Sequence, residues 1–134
     1  MRTLVLGGGF GGIVAAHALR TALDKRDDVT LVSEHHDFYL RAAFPRLAFE
    51  GTVGPDAIRL SLDAALEERG IAFKQARVTA IRPESNTVAT SDGELGYDYL
   101  LVALGTRYAD EQVPGLKRHS YSLWTVDEAQ RLRT

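Results

Sequence analysis

The sequence predicts an α/β fold, a parallel sheet with an antiparallel β insertion, and three observations carry that prediction. A short apolar strand runs straight into a glycine-rich turn and out into a helical pattern: Leu4-Val5-Leu6-Gly7-Gly8-Gly9-Phe10-Gly11-Gly12-Ile13-Val14-Ala15-Ala16. A second apolar strand, Val29-Thr30-Leu31-Val32-Ser33, follows one helix later and ends at an acidic residue, Glu34. Further on, two turn signals, Pro83-Glu84-Ser85-Asn86 and Asp92-Gly93, break a β-rich stretch into short antiparallel strands. A plain parallel fold would return by a helix there.

Taken in order, residues 3–6 read as a strand buried on both faces. Residues 11–24 read as a helix, because Ile13, Ala16, Leu19 and Leu23 recur at helical spacing. His17 on that helix is read as an exposed or satisfied histidine. The charged turn Asp24-Lys25-Arg26-Asp27-Asp28 leads into the second strand at 29–33. Residues 38–54 are apolar and aromatic, and Pro45 interrupts their helical pattern. They fit equally a core helix with proline in its first turn or a wall around a flat ligand. Ser61 is placed to cap a helix at 62–69 that stops at Gly70. Ile71–Lys74 reads as the third parallel strand, residues 77–82 and 86–90 as a hairpin, and Glu94–Tyr97 as a further short strand. Tyr99-Leu100-Leu101-Val102-Ala103-Leu104 is apolar enough for the centre of the sheet. Residues 107–118 read as loop, turning at Pro114-Gly115. Thr125-Val126-Asp127-Glu128 matches a capping box, so a helix starts at about residue 126.

The glycine spacing gives the turn a chemistry. Gly7, Gly9 and Gly12 form G-x-G-x-x-G, the dinucleotide fingerprint of Rossmann-like folds. Gly7 permits the tight turn, Gly9 lets a pyrophosphate approach the backbone, and Gly12 lets the helix pack against the sheet. Phe10 and Gly11, between the second and third glycines, are candidate cofactor-binding residues with them. The helix then points free N–H groups and a partial positive charge at the phosphates, worth about 0.3–1 kcal/mol per charge. Glu34 has the spacing of a carboxylate that accepts hydrogen bonds from both ribose hydroxyls, with His35 beside it. Glu34-His35-His36-Asp37 is rejected as a metal centre, because adjacent residues on an extended chain diverge and no further ligands follow at metal spacing.

Composition narrows the field. At 134 residues there is material for one ordinary domain with a real core. A net charge of −2 gives no argument for nucleic acid. The absence of cysteine rules out disulfides, thiolate metal sites and a redox cysteine pair in this segment. No leader pattern precedes the first strand, and no apolar run reaches membrane length, so cytoplasmic folding is expected.

Four patterns together resemble the N-terminal FAD-binding segment of the pyridine nucleotide-disulfide oxidoreductase superfamily: Gly7–Gly12; Glu34; Tyr97-Asp98-Tyr99-Leu100-Leu101-Val102-Ala103-Leu104-Gly105; and Val113-Pro114-Gly115-Leu116 with Thr125-Val126-Asp127-Glu128-Ala129. The likeness covers nearly the whole chain. The second glycine motif of that superfamily usually ends Ala-Thr-Gly, whereas here it ends Ala103-Leu104-Gly105. Phe38-Tyr39 with Phe44-Pro45, and the lack of a C-x4-C pair, resemble type II NADH dehydrogenases and sulfide:quinone oxidoreductases.

The resemblance implies FAD as cofactor. Gly7, Gly9 and Gly12 would hold its pyrophosphate and Glu34 the adenosine ribose. Val78 would meet the adenine edge through its backbone, and Ala103 and Gly105 would line the other side. Arg41 and Pro45 would lie near the pyrophosphate and flavin. It further implies that residues 1–112 are the N-terminal part of the FAD-binding domain, and that 113–134 lead towards a second dinucleotide-binding domain where NAD(P)H would bind. The whole protein would pass electrons from NAD(P)H or sulfide to a quinone or similar acceptor, at the inner face of a membrane reached through parts beyond this segment. Turnover is expected of that protein and not of 134 residues alone. With its last parallel strand missing, the sheet would keep an open edge, so homodimerisation is expected. Two other readings stay open: a NAD-binding Rossmann domain of a dehydrogenase, and a non-catalytic nucleotide-binding module.

Overall fold

The computed structural model describes residues 1–133. The chain divides into two compact units, each assembled from two stretches of sequence. Met1–Phe38 and Ser61–Gly105 form the first, and Tyr39–Leu60 and Thr106–Thr134 the second.

The first unit is built around a parallel sheet. In chain order come β1 (Arg2–Leu6), α1 (Phe10–Ala22) and β2 (Asp28–Ser33). Two three-residue strands, β3 (Asp37–Tyr39) and β4 (Arg59–Ser61), mark where the chain leaves this unit and re-enters it. Then follow α2 (Leu62–Glu67), β5 (Ala72–Gln75), β6 (Val78–Arg82), β7 (Thr87–Thr90), β8 (Gly93–Gly96) and β9 (Tyr99–Val102). The spatial order of the parallel sheet is β5-β2-β1-β9. Chain progression from β1 runs one way to β2 and β5, then reverses to β9. The reversal falls between β1 and β9, the position where open α/β sheets bind ligands beyond their carboxyl ends. The return from β5 to β9 is made by the antiparallel sheet β6-β7-β8, as the turn signals predicted.

Alternation along the strands decides what covers each face. Val5, Val29 and Leu31 face one way and meet Ala16 of α1, Leu62 and Leu66 of α2, and Ile71. Ile13, Leu19 and Leu23 pack on the same cluster, so the helical spacing marked the buried face of α1. Leu4, Leu6 and Val32 face the other way and meet Ala76, Val88 and Tyr97 from the antiparallel insertion. Val5, Leu6, Leu31 and Val32 are wholly buried. Each such side chain contributes about 1.5–3 kcal/mol relative to exposure.

Several expectations are corrected. Tyr99–Leu104 was expected at the sheet centre, yet β9 ends at Val102 and is an edge strand, with Tyr99 and Val102 exposed. Its apolar composition could not report which side would be paired. Ser61 stands at the N-cap of α2 but makes no capping bond to the helix backbone. Its hydroxyl instead donates to Asp63 Oδ1 at 2.5 Å, and that same oxygen accepts from the Ala64 N–H at 2.7 Å. Helix α2 also closes early, at Glu67, before Gly70 turns at φ +68°.

Residues 38–54 do not form a single helix, and in the second unit residues 39–54 supply core. A 3-10 turn spans Arg41–Ala43 and a π-type helix Arg46–Glu50, stopped by Gly51 at φ +67°. Phe44, Leu47 and Ala48 are buried with Ile58 and Ala129. The stretch 107–118 is not all loop: it holds a 3-10 turn at Asp110–Gln112 and the single-turn helix α3 (Leu116–His119). Helix α4 (Val126–Arg131) begins where the capping box placed it. Thr125 Oγ1 accepts from the Glu128 N–H at 3.3 Å, and Glu128 Oε2 accepts from the Thr125 N–H at 2.9 Å.

Candidate cofactor-binding site

Parallel register aligns the strand ends that make the site. Leu6 lies opposite Val32 on one side and Val102 on the other, so Gly7, Ser33 and Ala103 emerge together at the carboxyl edge. Backbone bonds fasten the three: Gly7 N–H donates to Val32 O, and Ala103 N–H to Leu6 O, both at 2.8 Å. Gly7 turns the chain at φ +115°, and a Cβ there would stand 2.2 Å from Ala103 O. At Gly12 a Cβ would stand 1.8 Å from Gly7 O, so helix and turn touch backbone to backbone. Gly9 differs from both. It has an ordinary φ of −87°, and a Cβ there would meet nothing within 4 Å. The first and third glycines are therefore dictated by packing, whereas the second leaves open space at the start of α1.

Gly9 is the N-cap of α1, with no side chain capping it and no acidic residue in the first turn. The helix runs thirteen residues, long enough for a full end dipole, so its first N–H groups present an uncompensated partial positive charge. Phe10 and Gly11 open the helix, and the Phe10 ring is exposed and meets Phe38 edge-on at 4.9 Å. An uncapped helix start, a glycine with free space before it and a carboxylate at the next strand end suit a dinucleotide's phosphates and ribose.

Glu34 lies directly after β2 with its side chain partly exposed. Its neighbour His35 donates its N–H to Ser33 Oγ at 3.2 Å. Two residues missed in the sequence meet Glu34 here. The Gln75 amide donates to the Glu34 carbonyl at 3.2 Å, and the Arg77 guanidinium pairs with Glu34 Oε1. They line a shallow depression with Ala76 and Ser91. Val78 opens β6 immediately beyond, paired with Thr90. The first unit thus brings together Gly7, Gly9, Phe10, Gly11, Gly12, Glu34, His35 and Ala103 along one sheet edge, with Gly105 two residues on at φ +74°. Arg41 and Pro45 belong to the second unit. There Arg41 lies over the Trp124 ring at 4.3 Å, and Pro45 precedes the π-type helix.

His36 has ordinary partners. Nδ1 lies 3.2 Å from Asp37 Oδ1, and Nε2 lies 3.1 Å from Asp63 Oδ2. Hydrogen bonding to Asp37, then to Asp63, raises the histidine pKa. Asp63 is held down to about 2 by the Ser61 hydroxyl, the Ala64 N–H and His36. Among the described residues no group of three or more His, Cys, Asp or Glu side chains is arranged to hold a metal ion.

A glycine-lined turn between a parallel strand and a helix, at a strand-order reversal, is the arrangement of the dinucleotide-binding class of α/β fold. The chain belongs to the pyridine nucleotide-disulphide oxidoreductase family, whose model matches residues 1–134. It is 27% identical over 132 residues to the type II NADH:quinone oxidoreductase of Staphylococcus aureus, covering 98% of this chain and 33% of that protein. It is 34% identical over 127 residues to the sulfide-quinone reductase of Aquifex aeolicus, covering 94% and 29%. The crystal structure of the sulfide:quinone oxidoreductase from Aquifex aeolicus superposes with a TM-score of 0.89 at 32% identity, over 98% of this chain and 30% of that one. The resemblance read from the four sequence patterns is borne out. The chain spans about a third of the length of the curated relatives it matches.

Two outcomes follow from the geometry. Gly12→Ala should destabilise the chain by about 1–3 kcal/mol or more in urea unfolding, because a carbonyl and not a flexible side chain stands in the way. Gly9→Ala should cost less than about 1 kcal/mol. Equal losses would mean that the two glycines are not distinguished by packing. For His36, a raised pKa contributes stability that is present below its unfolded value near 6.5 and is lost as pH rises through the folded value. Asp63 contributes above its unfolded value of 3.8 and loses that contribution as pH falls towards about 2. Thermal melts of wild type and His36→Gln should therefore differ most below the unfolded histidine value near 6.5, and the gap should close as pH rises through the raised folded value. A gap that stays constant with pH would contradict the His36 bridge.

Proposed function

We propose that this chain is the FAD-binding portion of a flavin-dependent oxidoreductase whose whole protein passes electrons from NAD(P)H or sulfide to a quinone-type acceptor. The observation that carries the reading is the contrast among the three glycines. Two are demanded by contacts within the chain, while Gly9 is open and faces an uncapped helix start. Family membership, and the printed names of the Staphylococcus aureus and Aquifex aeolicus relatives, support the donor and acceptor classes.

When bound, FAD supplies two-electron hydride chemistry. This chain's residues would bind and orient. N–H groups at the start of α1 would take the pyrophosphate across Gly9, with Phe10 and Gly11 flanking it. Glu34 would accept from the ribose hydroxyls beside His35. The Val78 backbone would meet the purine edge, and Ala103 and Gly105 would wall the opposite side. Arg41 and Pro45 are proposed for the pyrophosphate and flavin end. Residues 1–112 are assigned to the FAD domain, and 113–134 to the lead into a second domain that would take NAD(P)H. Turnover is assigned to the whole protein.

Membrane association is proposed for the whole protein, peripheral and on the inner face. Among the described residues no helix is long and apolar enough to cross a membrane. The β9 edge, with exposed Tyr99 and Val102, is where a second copy would pair.

Titration of the purified chain with FAD and with NAD, followed by flavin fluorescence and calorimetry, tests the reading. Saturable FAD binding weakened about tenfold or more by Glu34→Ala is expected, from the loss of charge-assisted hydrogen bonds of about 1.5–3 kcal/mol. Binding of NAD without FAD would overturn it in favour of a NAD-binding dehydrogenase domain.

A further inference from the structure

We infer that Arg77 is a positioning residue for the adenosine end of the site: it holds the Glu34 carboxylate in the orientation that reads ribose. The inference rests on the proposed role of Glu34 and adds a residue to it.

Arg77 is fixed at its backbone and reaches out from there. Its N–H donates to Ser91 Oγ at 3.0 Å, and its carbonyl accepts from the Ser91 N–H at 2.8 Å. The preceding residue, Ala76, is buried and donates its N–H to Ser33 O at 2.9 Å. The stem of Arg77 is therefore tied both to the end of β2 and to the residue that follows β7. From that anchored position the guanidinium pairs with Glu34 Oε1. Gln75, two residues back, holds the Glu34 main chain through its carbonyl at 3.2 Å. Glu34 is thus gripped twice from one neighbouring strand end, once at its backbone and once at its carboxylate.

The grip leaves the carboxylate able to work. An ionised carboxylate has about four acceptor positions. Arg77 occupies one of them on Oε1, which leaves Oε2 and the second lone pair of Oε1 for two ribose hydroxyls. Arg77 is mostly in solvent and Glu34 partly so, at 66% and 44% exposure, so the pair adds little to folding. Its consequence falls on orientation. A free glutamate at a strand end samples several rotamers, and only some aim both oxygens along the sheet edge. A planar guanidinium on a tethered backbone selects among them.

Comparing ADP with 2′-deoxy-ADP, as binding partners of the full 134-residue chain, isolates this role, because the two ligands differ only in one hydroxyl that Glu34 would read. Wild type should prefer ADP by about tenfold. Arg77→Ala should reduce that preference to below about threefold, weakening ADP more than 2′-deoxy-ADP, which keeps only one of the two hydroxyls. Arg77→Lys, which keeps the charge without the planar fork, should restore part of the preference. Adding Arg77→Ala to a Glu34→Gln background should change nothing further. An unaltered preference in Arg77→Ala would overturn the inference and leave the assignment of Glu34 standing. Equal weakening for both ligands would also overturn it, since that is the mark of a general structural or charge effect. Failure of wild type to bind ADP, or to prefer it, would overturn the reading of Glu34 and this inference with it.

Discussion

At the head of α1 two stretches of backbone touch with no side chain between them. The Gly12 Cα packs against the Gly7 carbonyl, and Gly7 in turn packs against the carbonyl of Ala103. That contact sets the distance between helix and sheet. It also brings the ends of β1 and β9 together at the point where strand order reverses. Once α1 lies this close, Ala16, Ile13 and Leu19 can reach Val5, Val29 and Leu31. A core on the helical side of the sheet follows from two missing methyl groups.

The same closeness produces the electrostatics. A helix forced to start immediately beyond a strand end leaves its first N–H groups facing the sheet edge. No side chain satisfies them at Gly9. Helix ends seek partners for those donors, and a phosphate is an effective one. Glu34 adds the opposite polarity one strand away, where a neutral hydroxylated sugar is the natural complement. The proposed binding function at this edge would therefore be a by-product of how tightly the fold is closed, with selectivity added by the residues that follow β2 and β5.

Legibility from sequence tracked the range of the interactions. The glycine turn, the buried face of α1, the antiparallel insertion and the Thr125 capping box are encoded within a few residues, and the structure has them where the spacing placed them. Gly12 could be given a reason in advance because its partner, the Gly7 carbonyl, lies in the same turn, whereas the contact of Gly7 with Ala103 comes from a strand far along the sequence and shows only in the fold. Arg77 and Gln75 could not be found this way: they meet Glu34 across more than forty positions, through a strand adjacency that only the fold sets. Ser61 shows the converse. A local signal for capping was present, but Asp63 two residues on offered its hydroxyl a charged acceptor. The edge position of β9 was not readable from the strand's own composition, since an apolar strand reads the same whether one or both sides are paired.

The central claim is that the open space at Gly9 and the donors at the start of α1 form the phosphate-binding end of a dinucleotide site. Backbone amide NMR of the chain during FAD addition tests it most directly. The account predicts that the largest shifts fall on the amides of Gly9, Phe10, Gly11 and Gly12, with smaller ones at Ser33 and Glu34. Shifts centred instead on the shallow basic surface of His17, Arg20 and Arg69, with the glycine amides unmoved, would contradict it.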